Sequence, residues 1–404
     1  MSQLSRRECL KLAAVGAAGA ILPRGSHAAD APAPAAWQKR GLVLSPELVP
    51  ASEWLQNFTS PAVPLGGDRW RLWLSRSGKT SPKNIGFAEG PLDLARLSPE
   101  RGLDDWQLTW AELSEGRPNR AAALAVGNLP RDWRPVQGVL VPLADGRERL
   151  YFWAHGPGVV RYLAADGDGR RFTVVDPLRP CLYHPADRAV DGPTTRLARF
   201  AKRSAKPVAG EPLATYEQIC NDATNVYRLA DGSFEMYTVS LVAVPKDSPA
   251  FVPYDNIAGL RRVIHRLTSD DGLHWSNRRL VIAPDAVDPP DQQFYFLSVT
   301  HTPEGRYGLL GSYRCAAQTI DLEYCYSADG LTWRRPLRKP LIERGSPEAL
   351  DSFLLHAPHA VVNHDGLRHL FYTGNNFKHN HTAAHGPERR GIFLATAPQL
   401  FTDE

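Results

Sequence analysis

Between Asn221 and Trp275 short hydrophobic runs are cut by tight polar turns. The segment opens N-D-A-T-N-V-Y-R-L-A-D-G-S-F-E-M-Y-T-V-S and closes R-R-V-I-H-R-L-T-S-D-D-G-L-H-W-S. Each half reads as strand, turn, strand, so the whole predicts one four-stranded antiparallel sheet.

The chain repeats this pattern. Hydrophobic runs end at turn glycines Gly67, Gly146, Gly232, Gly305 and Gly366, and each turn leads into a second, mostly aromatic run. Trp70–Trp73 and Leu150–Trp153 are two of these second runs. The glycines are 79, 86, 73 and 61 residues apart, each gap long enough for four strands and their loops. Amphipathic helices are nearly absent, and Leu92–Leu97 is at most a short turn. These features predict an all-β chain folded as a five-bladed β-propeller of four-stranded antiparallel blades, because radial repetition leaves few exposed edges. A pair of β-sandwiches is the competing arrangement.

A second motif supports the repeat. Ser269-Asp270-Asp271-Gly272-Leu273-His274-Trp275 and Ser327-Ala328-Asp329-Gly330-Leu331-Thr332-Trp333 share S-x-D-G-x-x-W, 58 residues apart. Asp accepts backbone N–H bonds, Gly takes a positive φ and Trp packs between blades, so the motif reads as structural.

The N-terminus has another character. Arg6-Arg7 precedes Leu10-Lys11, a weakly apolar run to Leu22, and the small residues Ser26–Ala29. Residues 1–29 resemble a twin-arginine export signal, which implies a periplasmic or secreted protein. Residues 30–44 then form a flexible lead-in and 45–404 the propeller. The formal net charge is +4, and loss of residues 1–29 takes it to about +1. The basic balance therefore belongs to the signal and gives no support for a nucleic-acid partner. No run is long and apolar enough to span a bilayer. Of the four cysteines beyond the signal, Cys315 and Cys325 flank a predicted loop and are the best candidate disulfide.

In a propeller the short turns lie on one face. The starts of the innermost strands and the long second-to-third-strand loops lie on the other, and such loops carry function. The long loops are Leu241–Leu260, Cys315–Cys325 and Asn375–Arg390. Carboxylates near strand starts are Asp222, Asp291, Glu217, Glu53 and Asp351. Glycoside hydrolysis needs a protonated acid and an ionised base or nucleophile, so Asp222 and Asp291 are the expected pair, with the others in reserve. Capping a turn is the alternative role for each. Asn221, Asn225, Gln292, Tyr295, Arg314, His356, His359 and Asn376 are the expected sugar-binding residues. His379, His381 and His385 lack a nearby carboxylate to complete a metal set, so neither a metal nor any other cofactor is expected.

With N-V-Y, D-P-P-D-Q-Q-F-Y and the two S-x-D-G-x-x-W turns in view, residues 45 to 400 resemble the five-bladed propeller glycosidases. That superfamily includes glycoside hydrolase families 43, 32, 62 and 68. The resemblance implies hydrolysis of a poly- or oligosaccharide by an acid and a base on innermost strands. The sequence departs from the superfamily in two places. Family 43 carries an Asp base in the first blade, where the nearest acids here are Glu47 and Glu53. The invertase W-x-N-D-P-N signature is absent. A non-catalytic carbohydrate-binding propeller and a lyase or phosphorylase on the same scaffold remain the alternatives.

Overall fold

The hydrophobic runs become strands buried along most of their length. Strand Glu148–Gly156 buries Leu150 through Ala154 without a break, as a strand covered on both faces does. The computed structural model describes residues 36–78, 82–190, 210–380 and 387–399. All of these fall within one unit, residues 33–404. The expected signal, residues 1–29, lies outside the described residues, as do His381 and His385. Among the described residues the helical content is two short 3₁₀ turns, Pro46–Leu48 and Tyr216–Gln218.

The strands form four hydrogen-bonded sheets. The first runs through Glu53–Gln56, Arg69–Gly78, Asn84–Pro91 and Gln107–Trp110, with Ala62–Gly66 also paired to Arg69–Gly78. The second is built on Arg134–Pro142, Glu148–Gly156, Val159–Gly167 and Arg171–Val174, extended by parallel pairing to Ala125–Gly127 and Glu112–Leu113. The third falls within the stretch 221–282. It holds Asn225–Arg228, Phe234–Ala243, Leu260–Ser269 and Ser276–Ile282 in simple order.

The eight-stranded fourth sheet contains two antiparallel meanders joined by one parallel pairing, Ile320 with Leu354. One meander is Gln292–Thr302, Gly305–Arg314 and Thr319–Ser327. The other is Leu354–His356 with Val362–His364, then Leu367–Asn375, Arg390–Pro398 and Gln38–Leu44. Only the third sheet has the expected four strands. The others gain extra strands where loops add short ladders or where a first strand is broken in two.

The lead-in expected over residues 30–44 is shorter than the sequence suggests. Gln38–Leu44 is a strand paired antiparallel with Arg390–Pro398, and Leu42, Val43 and Leu44 are fully buried. The first strand in the sequence thus completes the last sheet and removes its exposed edge.

Hydrogen bonds near the first strands link successive sheets and meanders. The Gln137 N–H donates to Ser75 Oγ (2.6 Å) and the Ala223 N–H to Gln137 Oε1 (3.2 Å). Asn225 Nδ2 donates to the Leu297 carbonyl (2.9 Å), Ser298 Oγ to that of Pro358 (2.5 Å), and the Thr59 N–H to that of Ala357 (3.2 Å). The last bond returns to the first sheet, so the links close a ring.

The turn chemistry follows the sequence. All five turn glycines have positive φ. Asp271 Oδ1 accepts the N–H groups of Leu273 and His274, and Asp329 Oδ1 those of Leu331 and Thr332, all at 2.8 Å. Each turn then docks on the preceding sheet. Tyr151 donates its hydroxyl to the Gly272 carbonyl (2.9 Å), and Trp333 packs edge-on against Tyr237. A Cβ on Gly272 would stand 2.5 Å from the Tyr151 hydroxyl, so only glycine fits.

All four cysteines of the described chain are free and buried, which corrects the expected Cys315–Cys325 disulfide. Cys325 is not at a loop end. It pairs with Gly308 inside the Gly305–Arg314 ladder, six ladder positions from Arg314–Thr319 and so about 20 Å from Cys315. A disulfide needs Cα atoms within about 7 Å.

Candidate functional site

Three non-glycine residues at the starts of first strands have left-handed backbones: Thr59 (φ 60°), Gln137 (φ 58°) and Ala223 (φ 60°). This is uncommon for any side chain and an outlier for β-branched Thr59. Such strain persists where the surroundings over-determine it, and it clusters at functional sites. The ring bonds above fix all three. The residue before each kink is Phe58, Val136 and Asp222. Of these three equivalent positions, only the third carries a carboxylate.

The remaining two first strands are also irregular here. The ladder of Gln292–Thr302 is bulged between Phe294 and Leu297, around Tyr295. The first strand of the last meander breaks between His356 and Val362. Phe58, Tyr295 and His356 meet, with ring centroids 4.9 Å apart for Phe58–His356 and 6.3 Å for Tyr295–His356. Burial and the charge of Asp222 both push the Tyr295 hydroxyl up, so it stays protonated. His379 is hydrogen-bonded to that hydroxyl at 3.0 Å.

Asp222 is positioned by a relay. The Ala186 N–H donates to His184 Nδ1 (3.0 Å), which places the ring proton of a neutral imidazole on Nε2. Nε2 then donates to Asn221 Oδ1 (2.8 Å), and Asn221 Nδ2 donates to Asp222 Oδ1 (2.9 Å). Burial lowers the pKa of His184, so the imidazole is neutral as the relay requires.

The opposite charges come from loops. Lys83 immediately precedes the strand Asn84–Pro91 of the first sheet and is held 3.2 Å from His155 Nδ1. Burial lowers its pKa, against the pull of Asp222. Burial also drives His155 and His356 well below the usual histidine range. Arg390 begins the Arg390–Pro398 strand. Its Nη1 donates to Gln56 Oε1 (2.5 Å), and its guanidinium carbon lies 4.8 Å from the Trp54 ring and 5.2 Å from that of Phe377. Burial lowers its pKa to about 10, which leaves it charged at neutral pH. The site therefore brings together Asp222, the cations Lys83 and Arg390, the Arg262–Asp255 ion pair with its guanidinium 5.1 Å from the Tyr295 ring, neutral imidazoles and aromatic faces. Among the described residues no group of three His, Cys, Asp or Glu side chains is placed to hold a metal.

Of the residues expected from sequence, Asn221, Asp222, Tyr295 and His356 come together here. Others have different engagements. Asp291 forms an ion pair with Arg314 (2.8 Å) and accepts the Ala316 N–H. Burial would raise its pKa, but these two partners hold it below the usual range. Glu53 lies 3.7 Å from Arg76, and Glu217 is exposed on a 3₁₀ turn. Asp351 binds Lys39 and the Tyr372 hydroxyl in a separate cavity of about 670 Å³, beside Glu47, Glu100 and Arg389.

Asn225 and Gln292 bond to backbone carbonyls in the interior. Asn376 clips its own loop, accepting from the Arg389 N–H and donating to the Pro387 carbonyl. His359 stacks on Tyr227 (4.4 Å) and bonds to the Val226 carbonyl, and burial lowers its pKa to about 4. It is a core histidine.

Sequence reasoning missed Lys83, His155, His184, Trp54 and Arg390. Arg390 alone carried a signal, as the far end of the long loop that begins at Asn375.

No protein-family model and no curated protein sequence matches the chain. Solved structures do. One described as a glycoside hydrolase superposes with a TM-score of 0.58 at 14% identity, covering 98% of this chain and 97% of the other. A thermostable family-43 glycoside hydrolase gives 0.52 at 12% identity, covering 87% and 91%. A glycosyl hydrolase from Bacteroides ovatus gives 0.52 at 11% identity, covering 91% and 96%. This chain shares the fold of those enzymes across nearly its whole length.

Proposed function

We propose that the chain is an exported glycoside hydrolase acting on a poly- or oligosaccharide at the site around Asp222. The sheets are read as five propeller blades, the eight-stranded sheet contributing two. The closed ring of bonds between successive sheets and meanders and the fold shared with glycoside hydrolases support that count. Residues 1–29 are read as a twin-arginine signal that delivers the protein to the periplasm or beyond. Among the described residues no helix is long and apolar enough to cross a membrane.

One observation carries the assignment. Asp222 is the only carboxylate at the three equivalent kinks, and a relay of two side chains orients it. A carboxylate so held suits proton transfer or charge stabilisation at a glycosidic bond. Lys83, lowered in pKa and in electrostatic contact with Asp222, is the proton-transfer partner we assign. Trp54, half-buried over Arg390, offers a face for a sugar ring.

The test compares the wild type with Asp222→Asn on a broad panel of oligosaccharides and aryl glycosides. A fall in turnover of about 100-fold or more, with binding retained, is expected of a lost acid–base group. Unchanged turnover would remove Asp222 from the mechanism. Phe58 and Val136 at the other two kinks favour a second reading, a non-catalytic carbohydrate-binding propeller. Binding with no turnover on any substrate would establish that reading instead.

A further inference from the structure

We propose that the central site takes a sugar bearing a carboxylate, a uronic acid residue, and that Arg390 holds that carboxylate. The inference rests on the reading of this site as the carbohydrate site and adds the class of sugar.

The argument is one of unbalanced charge. Arginines buried elsewhere in the sheets have carboxylates. Arg161 pairs with Asp187, Arg262 with Asp255, and Arg335 with Asp288 and Glu323. Others direct their donors to backbone carbonyls: Arg261 to Gln292, Arg278 to Tyr216 and Ile219, and Arg368 to Pro398. Arg390 has neither kind of partner. Its one hydrogen bond goes to the neutral amide of Gln56, and Nε is buried without any. Glu388 acts on it electrostatically, without ion-pair contact.

Trp54 and Phe377 hold the flat guanidinium in place, so the free Nε–Nη2 edge is oriented in advance. That edge matches the two oxygens of a carboxylate. The position is also right for a sugar substituent. Asp222 and Arg390 both act electrostatically on the Tyr295 hydroxyl, which places the two charges around one tyrosine. Lys83 is engaged electrostatically with Asp222, and Glu388 acts on Arg390 without forming an ion pair, so the guanidinium has no carboxylate in contact.

The experiment is calorimetric titration of the mature chain with uronic-acid oligosaccharides and with the same oligosaccharides after reduction of their carboxyls to alcohols. Sulfated oligosaccharides and inorganic phosphate are titrated in parallel. The wild type should bind the acids about 10- to 100-fold more tightly than the reduced forms, the ratio a charge-assisted pair supplies. Arg390→Met should abolish that preference, weakening the acids far more than the reduced forms. Arg390→Lys keeps the charge without the fork and should retain a smaller preference. It carries the test if the Met variant does not fold.

Equal wild-type affinity for acid and reduced forms would overturn the inference while leaving the carbohydrate reading intact. Equal weakening of both in Arg390→Met would do the same. Preference for sulfate esters, or competition by phosphate alone, would reassign the anion and refute the uronate. Failure of every oligosaccharide to bind would sink the carbohydrate reading and this inference with it.

Discussion

Glu235 lies in the third sheet with its side chain fully buried, at the contact with the Gln292–Ser327 meander. It accepts from Arg266 Nε (2.8 Å) and Arg306 Nε (2.8 Å), and His301 Nε2 lies 2.6 Å away. Burial pushes its pKa up, but His301 and Arg306 outweigh burial and bring it from 4.5 to about 2. At about 1.4 kcal/mol per pH unit, that drop corresponds to about 3 kcal/mol of stability. Breaking a buried ion pair from one side costs about 3–5 kcal/mol, so two independent routes agree.

Glu235→Gln should therefore destabilise the protein by about 3 kcal/mol near neutral pH, read from urea unfolding midpoints. The sign of the pH dependence follows from the depressed value. The stabilisation is fully present above the unfolded pKa of 4.5 and is lost as pH falls through about 2. At about pH 3 the gap between wild type and variant should shrink to about 1.4 kcal/mol, because the unfolded carboxyl is then mostly protonated and must release its proton on folding. A gap under about 1 kcal/mol at neutral pH, or one that stays constant down to about pH 3, would refute the reasoning.

Two further predictions concern the scaffold. Burial pushes the Cys181 and Cys315 thiols up to about 12, and all four cysteines of the described chain are free. The mature protein should resist a thiol reagent when folded and release all four thiols when unfolded without reductant, whereas a Cys315–Cys325 bridge would leave only two. Deleting the chain through Leu44 removes three fully buried aliphatic side chains, worth about 1.5–3 kcal/mol each. That sum rivals the whole stability of a domain, so the truncated protein should be insoluble, whereas deletion through residue 35 should leave the melting temperature unchanged. A soluble, cooperatively melting truncation at Leu44 would show that the closing strand is dispensable.

The sheets were legible because the information for them is local. A hydrophobic run, a turn that demands positive φ and an aromatic run recur together, and Gly232 or Gly272 can be read without knowing the partner strand. The closing strand was not legible. Leu42-Val43-Leu44 is a brief apolar run after a Pro/Ala-rich segment, and its partner Arg390–Pro398 lies some 350 residues away in sequence.

The same limit separates Asp222 from Asp291. Each precedes a first strand and the two look equivalent. Register decides between them: Gln292 pairs with Arg314, which brings that guanidinium to Asp291 and occupies it. Nothing within the sequence near Asp291 announces this. Lys83 and Arg390 were missed because they stand at strand starts after loops, where hydrophobic periodicity carries no information about which side chain turns toward the centre.

The kinks give this distribution of charge a physical basis. Three first strands store backbone strain at the same level, yet the residue before the kink is apolar in two of the three, Phe58 and Val136. The strain is thus a property of the scaffold, and the chemistry is set by what stands before each kink. With Phe58 and Val136 at two kinks, the kinks supply one carboxylate, Asp222, for Lys83 and Arg390, and Glu388 acts on Arg390 without ion-pair contact. Cation–π contacts with Trp54 and Phe377 recover about 1–2 kcal/mol for Arg390, less than the several kcal/mol that desolvating a guanidinium costs. The remainder is a standing cost in the free protein, and a ligand that brings a negative charge removes it on binding. A neutral sugar would leave that cost in place, and this difference is the source of the selectivity expected at Arg390.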